Sequence, residues 1–277
     1  MKNRLFLVFF LFLSPLLFCQ NLSGGLKITL EERGGDLAII GSQGSVRELV
    51  IPETINGMNV TVIDTGAFTQ RGLVRVVIPD SVTEIGEQAF SFNEITSLVI
   101  GNNVTVIGQK AFFSNKLENL VLGESVSEIG MGAFAQNNLA EIIIPDSVTS
   151  IGAYAFFMNR LRILNLPANV SFLGEGAFST NRLHTLTIEN GIQQIGDGAF
   201  YNNRLTGITI PESLEDLGRR VFESRNTLRS SQPPVDYLNE KGEILFTTSN
   251  NFDTYYNGNG KKPGKYTFTR EGWTFEE

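Results

Sequence analysis

One cysteine, one histidine and one tryptophan in 277 residues leave several kinds of chemistry without their groups. A single Cys cannot build a disulfide framework, and one Cys with one His cannot supply the nitrogen and sulfur ligands of a zinc site. No metal or cofactor is expected. Basic residues are also short, since 22 Lys and Arg stand against 29 Asp and Glu for a net charge of −7. Nucleic-acid affinity rests on cations that neutralise phosphates, so that partner class is excluded, and a polyanion has only a local basic patch to meet. Walker, HExxH, GxSxG and GxGxxG patterns are missing, and the lone His184 has no nucleophile and orienting group to join. No catalytic residue is assigned, and the chain reads as a non-enzyme. Hydrophobic residues at 42% and charged residues at 18% still describe a chain able to bury a core.

The one apolar run stands at the start. Lys2 and Arg4 precede Leu5–Leu13, then Ser14, Pro15 and a second short run to Cys19. This is the layout of a signal peptide over 1–19, too short for a spanning helix of ~20 residues, and no later stretch approaches that length. An exported protein follows, at the cell surface, secreted or periplasmic. Its net charge falls from −7 to −9 once Lys2 and Arg4 are removed. Cys19 admits two readings. Leu16, Leu17 and Phe18 before it loosely resemble a lipobox, which makes Cys19 a lipidation candidate; Phe18 stands where a small residue is usual, which favours plain cleavage at or after Cys19. A single acyl chain anchors only marginally without a second signal.

Beyond the leader, one period organises the chain. Phe recurs at 68, 90, 112, 134, 156, 178, 200 and 222, always 22 residues apart. Ala precedes it in seven units and Val221 in the last, while Ile or Leu stands five residues before it, from Ile63 to Leu217. Gly follows that Ile or Leu in seven units, Gly86 to Gly218, with Asp64 as the exception. After the Phe, the units read Asn-x-Leu-x-x-Leu-x-Ile, as in Asn115, Leu117, Leu120 and Leu122, or Asn137, Leu139, Ile142 and Ile144. Alternation at the last two apolar positions predicts a strand, and Val-x-x-Ile-Gly, as in Val82–Gly86, predicts a second short one. Pro79, Pro145, Pro167 and Pro211 fall at the bend between them. A 22-residue unit cannot bury its apolar face alone, so neighbours must stack ~4.8 Å apart. The Phe column then becomes an aromatic spine. Asn93, Asn115, Asn137, Asn159, Asn181 and Asn203 form a further column, whose buried amides are expected to pair with turn backbone.

The unit Leu-x-x-Leu-x-Ile-Pro-x-x-Val-x-x-Ile-Gly-x-x-Ala-Phe-x-x-Asn resembles the BspA-type, or Treponema-type, leucine-rich repeat, over residues 46–222. Many members of that family carry Cys where this chain has its Asn column. The resemblance implies an exported or surface-exposed bacterial protein that binds proteins or host surfaces, and it implies no catalysis.

The expected fold is mainly β, a leucine-rich-repeat solenoid of about eight to nine coils, roughly 40 Å long at that spacing. Solenoid ends need caps. Residues 20–45, with Leu26, Ile28 and Leu30, then Gly34-Gly35, then Leu37, Ile39 and Ile40, read as an N-terminal β-hairpin cap. The solenoid is assigned to 46–226, with an insertion around Asn56–Val60. Residues 227–277 hold the Trp and four of the six Tyr and read as a small C-terminal β-rich module. Its Tyr255-Tyr256 to Trp273 string is similar to tail modules found beside such arrays.

Outward residues of the first strands are the candidate contacts. Val77, Val99, Val121 and Ile143 make an apolar stripe that passes into Asn165, Thr187 and Thr209. Beside it run Arg75, Ser97, Asn119, Glu141, Ile163, Thr185 and Gly207. Strand propensity alone accounts for Val and Ile here; a contiguous exposed apolar area equally marks a contact site. A column after the Asn ladder reads Lys116, Asn138, Arg160, Arg182 and Arg204. Its three arginines form either a solvated ridge or a strip for an anionic ligand such as a sulfated glycan. Two functions stay open: a binder of proteins or glycans on host or neighbouring bacterial surfaces, adhesin-like, and a periplasmic or envelope scaffold without a host ligand.

Overall fold

The computed structural model describes residues 17–22, 25–205, 208–223, 260, 262–269 and 272–276. Within these the chain is a β-solenoid whose coils repeat every 22 residues. A typical coil carries a first strand, a bend that holds Pro79, Pro145, Pro167 or Pro211 in four coils and Gly101, Gly123 or Glu189 in three others, a second two-residue strand, and a turn that leads through the Phe to the next coil.

Three hydrogen-bond ladders join successive coils. First strands pair in parallel: Glu48–Val50, Arg75–Val77, Ser97–Val99 and Asn119–Val121 form one sheet, and Ile163–Leu166 pairs with Thr185–Ile188 in another. Second strands pair without interruption from Met58–Ile63 through Glu84–Ile85 to Asp216–Leu217. The third ladder lies in the turns. Gln88, Phe90 and Phe92 donate their N–H groups to the carbonyls of Gln109, Ala111 and Phe113 one coil on, and Lys110, Phe112 and Ser114 repeat this toward Met131, Ala133 and Ala135.

That third ladder depends on backbone geometry. The residue before each Ala, or before Val221 in the last coil, has a left-handed φ between 53° and 65°, at Gly66, Gln88, Lys110, Gly132, Tyr154, Gly176, Gly198 and Arg220. The residue two after the Phe does the same, from Gln70 to Asn202. These left-handed positions flank the Ala-Phe pair and turn alternate N–H groups along the solenoid axis. Most hold residues with a Cβ, for which this region costs ~1–2 kcal/mol.

The glycine after each second strand answers a different demand. A Cβ on Gly108 would lie 2.7 Å from the Gly86 carbonyl carbon and 2.8 Å from the Glu87 nitrogen, and Gly130, Gly152 and Gly196 meet the preceding coil in the same way. Coils touch backbone to backbone here. Asp64 breaks the column because its coil stacks on the N-terminal hairpin rather than on another coil. Its carboxylate accepts from Arg33 of that hairpin at 2.6 Å and from the Thr65 N–H at 2.7 Å. Burial alone would raise the Asp64 pKa, but these two donors together hold it below the ordinary carboxylate range.

Inside, the Phe column forms the spine that the sequence predicts. Seven successive ring pairs stack with centroids 5.0–5.9 Å apart and planes within 16°. Leu and Ile of both strands fill the remaining interior. A hydroxyl column escaped the sequence reading: Thr83, Thr105, Ser127, Thr149 and Ser171 each donate to the carbonyl of the equivalent residue one coil back.

Both ends differ from the coils. Lys27–Arg33 and Asp36–Gln43 form a hairpin across Gly34-Gly35, both with positive φ, and its second strand pairs in parallel with Met58–Ile63. Leu17–Asn21 adds an antiparallel strand to that hairpin, so the last residues assigned to the leader, including Cys19, stand in a strand; residues 1–16 lie outside the described residues. The first coil is longer, with Val50 paired to Val77, because a small hairpin at Asn56-Gly57 is inserted. At the far end Gly264–Thr269 and Gly272–Glu276 form a hairpin whose first strand pairs antiparallel with Ile208–Ile210 and buries Tyr266. The stretch 230–234 and Tyr255-Tyr256 lie outside the described residues.

One expected strand is not formed. Glu141-Ile142-Ile143-Ile144 keeps the phase of the coils but is unpaired as a strand, so the first-strand face is divided between Asn119–Val121 and Ile163–Leu166.

These contacts separate two backbone effects. Gly108→Ala is expected to cost about 1–3 kcal/mol, since the methyl must displace the backbone of the neighbouring coil. Gln136→Gly, at an exposed left-handed residue, is expected to stabilise by up to about 1 kcal/mol. Thermal and urea unfolding read both signs; an unaffected Gly108→Ala would contradict the stacking.

Candidate functional site

Side chains of the first strands alternate between core and solvent. Leu49, Val76 and Leu98 point inward, which leaves Val50, Val77, Val99 and Val121 as paired neighbours on the outside. Their exposures show that the stripe is real surface: 67% for Val50, 38% for Val99, 56% for Val121 and 86% for Ile143, with Val77 half-buried. Ile163, 51% exposed in the adjoining column, continues the apolar area toward Thr185. Arg75, Asn119 and Glu141 are exposed along its border, and Gly207 lies outside the described residues. Val50 was not among the expected contacts, because the first coil is out of phase with the period by its insertion.

The Asn column lies one turn of chain away and is structural, as its buried setting requires. Asn159 Nδ2 donates to the carbonyls of Phe134 at 2.9 Å and Phe156 at 3.2 Å, while its Oδ1 accepts from the Leu139 N–H at 3.1 Å. Asn93, Asn115, Asn137, Asn181 and Asn203 repeat this pattern. Each amide therefore clamps two consecutive Phe carbonyls and the N–H of the Leu or Ile that leads toward the first-strand segment, Leu73, Ile95, Leu117, Leu139, Leu161 or Leu183.

On this ladder rests a groove of about 420 Å³, lined by Asn138, Met158, Thr180 and Asn202 and by Arg160, Arg182 and Arg204. All three arginines are exposed, and none makes an ion pair among the described residues. Lys116, in the same column, differs by pairing with Glu94. One column further over, Arg162 and His184 are exposed as well, so five basic side chains occupy three coils. His184 contacts Thr185 Oγ1 at 3.1 Å, a setting with no catalytic partner among the described residues.

Two other cavities are less open chemically. One, of about 660 Å³, includes Tyr154, Phe157, Tyr201, Glu175, Asp197 and Arg219. Its charges are already matched. Asp197 accepts from the Arg219 N–H at 2.8 Å and its guanidinium at 2.7 Å, and both bonds lower the Asp197 pKa; Tyr154 donates to Glu175, a bond that together with partial burial raises the phenol. The other, of about 730 Å³, lies between Thr209–Glu212 and the C-terminal hairpin at Lys262–Gly264 and Phe275. No cluster of three or more metal-ligating side chains occurs among the described residues, and none of their helices is long and apolar enough to cross a membrane. Cys19 is exposed, its Sγ 3.9 Å from Thr29 Oγ1.

Comparison with known proteins points one way. The model of the BspA type leucine rich repeat region matches residues 42–162, 105–229 and 149–271. Among solved structures, the chain is similar to a leucine-rich repeat protein of T. pallidum, at 25% identity and a TM-score of 0.58, over 73% of this chain and 88% of that one. It is also similar to a leucine-rich cell surface protein of Faecalibacterium prausnitzii, at 21% identity and a TM-score of 0.45, over 76% of each chain. The pneumococcal vaccine antigen PcpA matches at 16% identity and a TM-score of 0.40, over 76% of this chain and 79% of that one. No curated protein matches the sequence.

The Asn clamp gives a sharp test. Asn159→Ala leaves the buried Leu139 N–H without its partner and takes one of two Asn donors from each of the Phe134 and Phe156 carbonyls, and it is expected to cost about 1–3 kcal/mol. Asn159→Asp is expected to be worse at neutral pH, since a carboxylate faces two carbonyls, and to recover as acid restores a donating proton. Unfolding midpoints across pH read this; an Asp variant as stable as wild type at pH 7 would contradict the clamp.

Proposed function

Because the chain belongs to the BspA-type leucine-rich repeat family, we propose that it is an exported, adhesin-like binding protein that grips a surface partner on the outward face of its first strands. The observation that carries this reading is the exposed apolar run from Val50 through Val99, Val121 and Ile143 to Ile163. Scattered surface hydrophobics are ordinary, whereas a contiguous row at coil spacing offers the apolar centre of an interface. Arg75, Asn119 and Glu141 supply a polar rim beside it. Coil spacing holds these residues rigidly, so little ordering is needed on binding. The partner is a protein or glycan of a host or neighbouring bacterial surface.

Export rests on Lys2, Arg4 and the apolar run Leu5–Leu13. Cleavage near Cys19 leaves Gln20 and Asn21 of the edge strand on the mature chain, and lipidation at Cys19 would place the anchor at the hairpin end of the solenoid, away from the basic groove.

Two measurements decide between this reading and an envelope scaffold. Protease added to intact cells is expected to digest the protein; protection would place it in the periplasm. A pull-down from extracellular-matrix and bacterial-surface extracts is expected to retain a partner on the wild type. Val99→Lys with Val121→Lys is expected to lower that retention by about tenfold or more, since charged side chains then occupy the centre of the contact. Unchanged retention by a folded double variant would discard this face.

A further inference from the structure

We propose that the groove over the Asn ladder is a second binding site, for a linear sulfated polysaccharide lying along the solenoid axis across Arg160, Arg182 and Arg204. The site is separate from the apolar stripe and does not depend on what that stripe binds.

Charge placement is the first argument. The chain carries a net charge of −7, yet Arg160, Arg162, Arg182, His184 and Arg204 gather on three consecutive coils. At one coil per layer, the backbones of same-column arginines stand ~5 Å apart, so their like charges repel one another. Nothing among the described residues offsets this. Arg160, Arg162, Arg182 and Arg204 have no carboxylate partner among the described residues, although Lys116, Arg33 and Arg219 elsewhere on the solenoid do. Glu141, in the preceding coil, forms no ion pair among the described residues. A bound anion removes the repulsion and supplies the missing partner.

Shape and lining select the kind of anion. Guanidinium groups at a fixed repeat suit a polymer whose charged oxygens recur along its length, each taken by a bidentate fork. Asn138, Thr180 and Asn202 line the groove with the arginines, and their amides and hydroxyl suit sugar hydroxyls. Single-stranded nucleic acid sites add aromatic platforms for bases, and among the described residues no aromatic side chain lines this groove. The floor is rigid, because the Asn159, Asn181 and Asn203 amides beneath it are fully engaged with backbone.

Heparin is the probe, applied to the whole mature protein. Wild type is expected to be retained on a heparin column at low salt and released as salt rises. Arg160→Ala with Arg182→Ala and Arg204→Ala is expected to weaken heparin affinity by about tenfold or more and to flatten its salt dependence, because fewer counterions are released. The three positions are exposed, so an unchanged circular dichroism spectrum and melting temperature will show that the fold survives. Arg47→Ala, exposed near the opposite end, is expected to bind as wild type. Desulfated heparin, polyglutamate and single-stranded DNA are expected to bind at least about tenfold more weakly than heparin. No retention of wild type at low salt, equal binding of the triple variant, or equal binding of polyglutamate or DNA would each overturn the proposal.

Discussion

Close contact between the backbones of successive coils is the constraint on which the rest depends. At Gly108, Gly130 and Gly152 there is no room for a Cβ between one coil and the next. That contact brings second strands into pairing and turn N–H groups within reach of the following coil. Once the layers are held at this distance, the Phe rings must stack and the Asn amides must bridge two layers. Each column is therefore a consequence of one spacing rather than a separate invention. The cost is paid in backbone conformation, with two left-handed residues in nearly every coil.

Because the interior is set column by column, the outward positions are free to vary, and they do so along the axis. The apolar stripe belongs to the first coils, up to Ile143 and Ile163, whereas the basic groove belongs to the coils of Arg160, Arg182 and Arg204. One long sidewall thus carries two chemistries. Rigid layers suit both, since neither surface has to be ordered when a partner arrives.

Much of this is legible in the sequence because a fixed period turns each buried column into a recurring letter. Phe, Ala, Gly and Asn are read directly, and so is the arginine column. Other features leave no such mark. The left-handed positions hold Gln88, Lys110, Tyr154, Phe92 and Met158 as readily as Gly, so nothing in composition announces them. The unpaired segment at Ile142–Ile144 has as good a strand pattern as its neighbours, and the side chains around it give no reason for the gap. Arg162 and His184 are exposed in a separate column otherwise filled by Thr96, Glu118 and Ala140, where no single letter repeats. Val50 is hidden by an insertion that shifts its phase, and the Thr/Ser hydroxyl column, although periodic, mixes two residue types.

The most direct test of the register is a disulfide placed on it, in a Cys19→Ser background. Val99 and Val121 stand opposite each other in parallel strands, at a Cα separation of ~4.8 Å that a disulfide can span. Val99→Cys with Val121→Cys is predicted to close an intramolecular bond under mild oxidation. Val99→Cys with Ile143→Cys, two layers apart at ~10 Å, is predicted to stay reduced within the monomer. A failure of the first pair to close, or equal closure of both, would contradict the account.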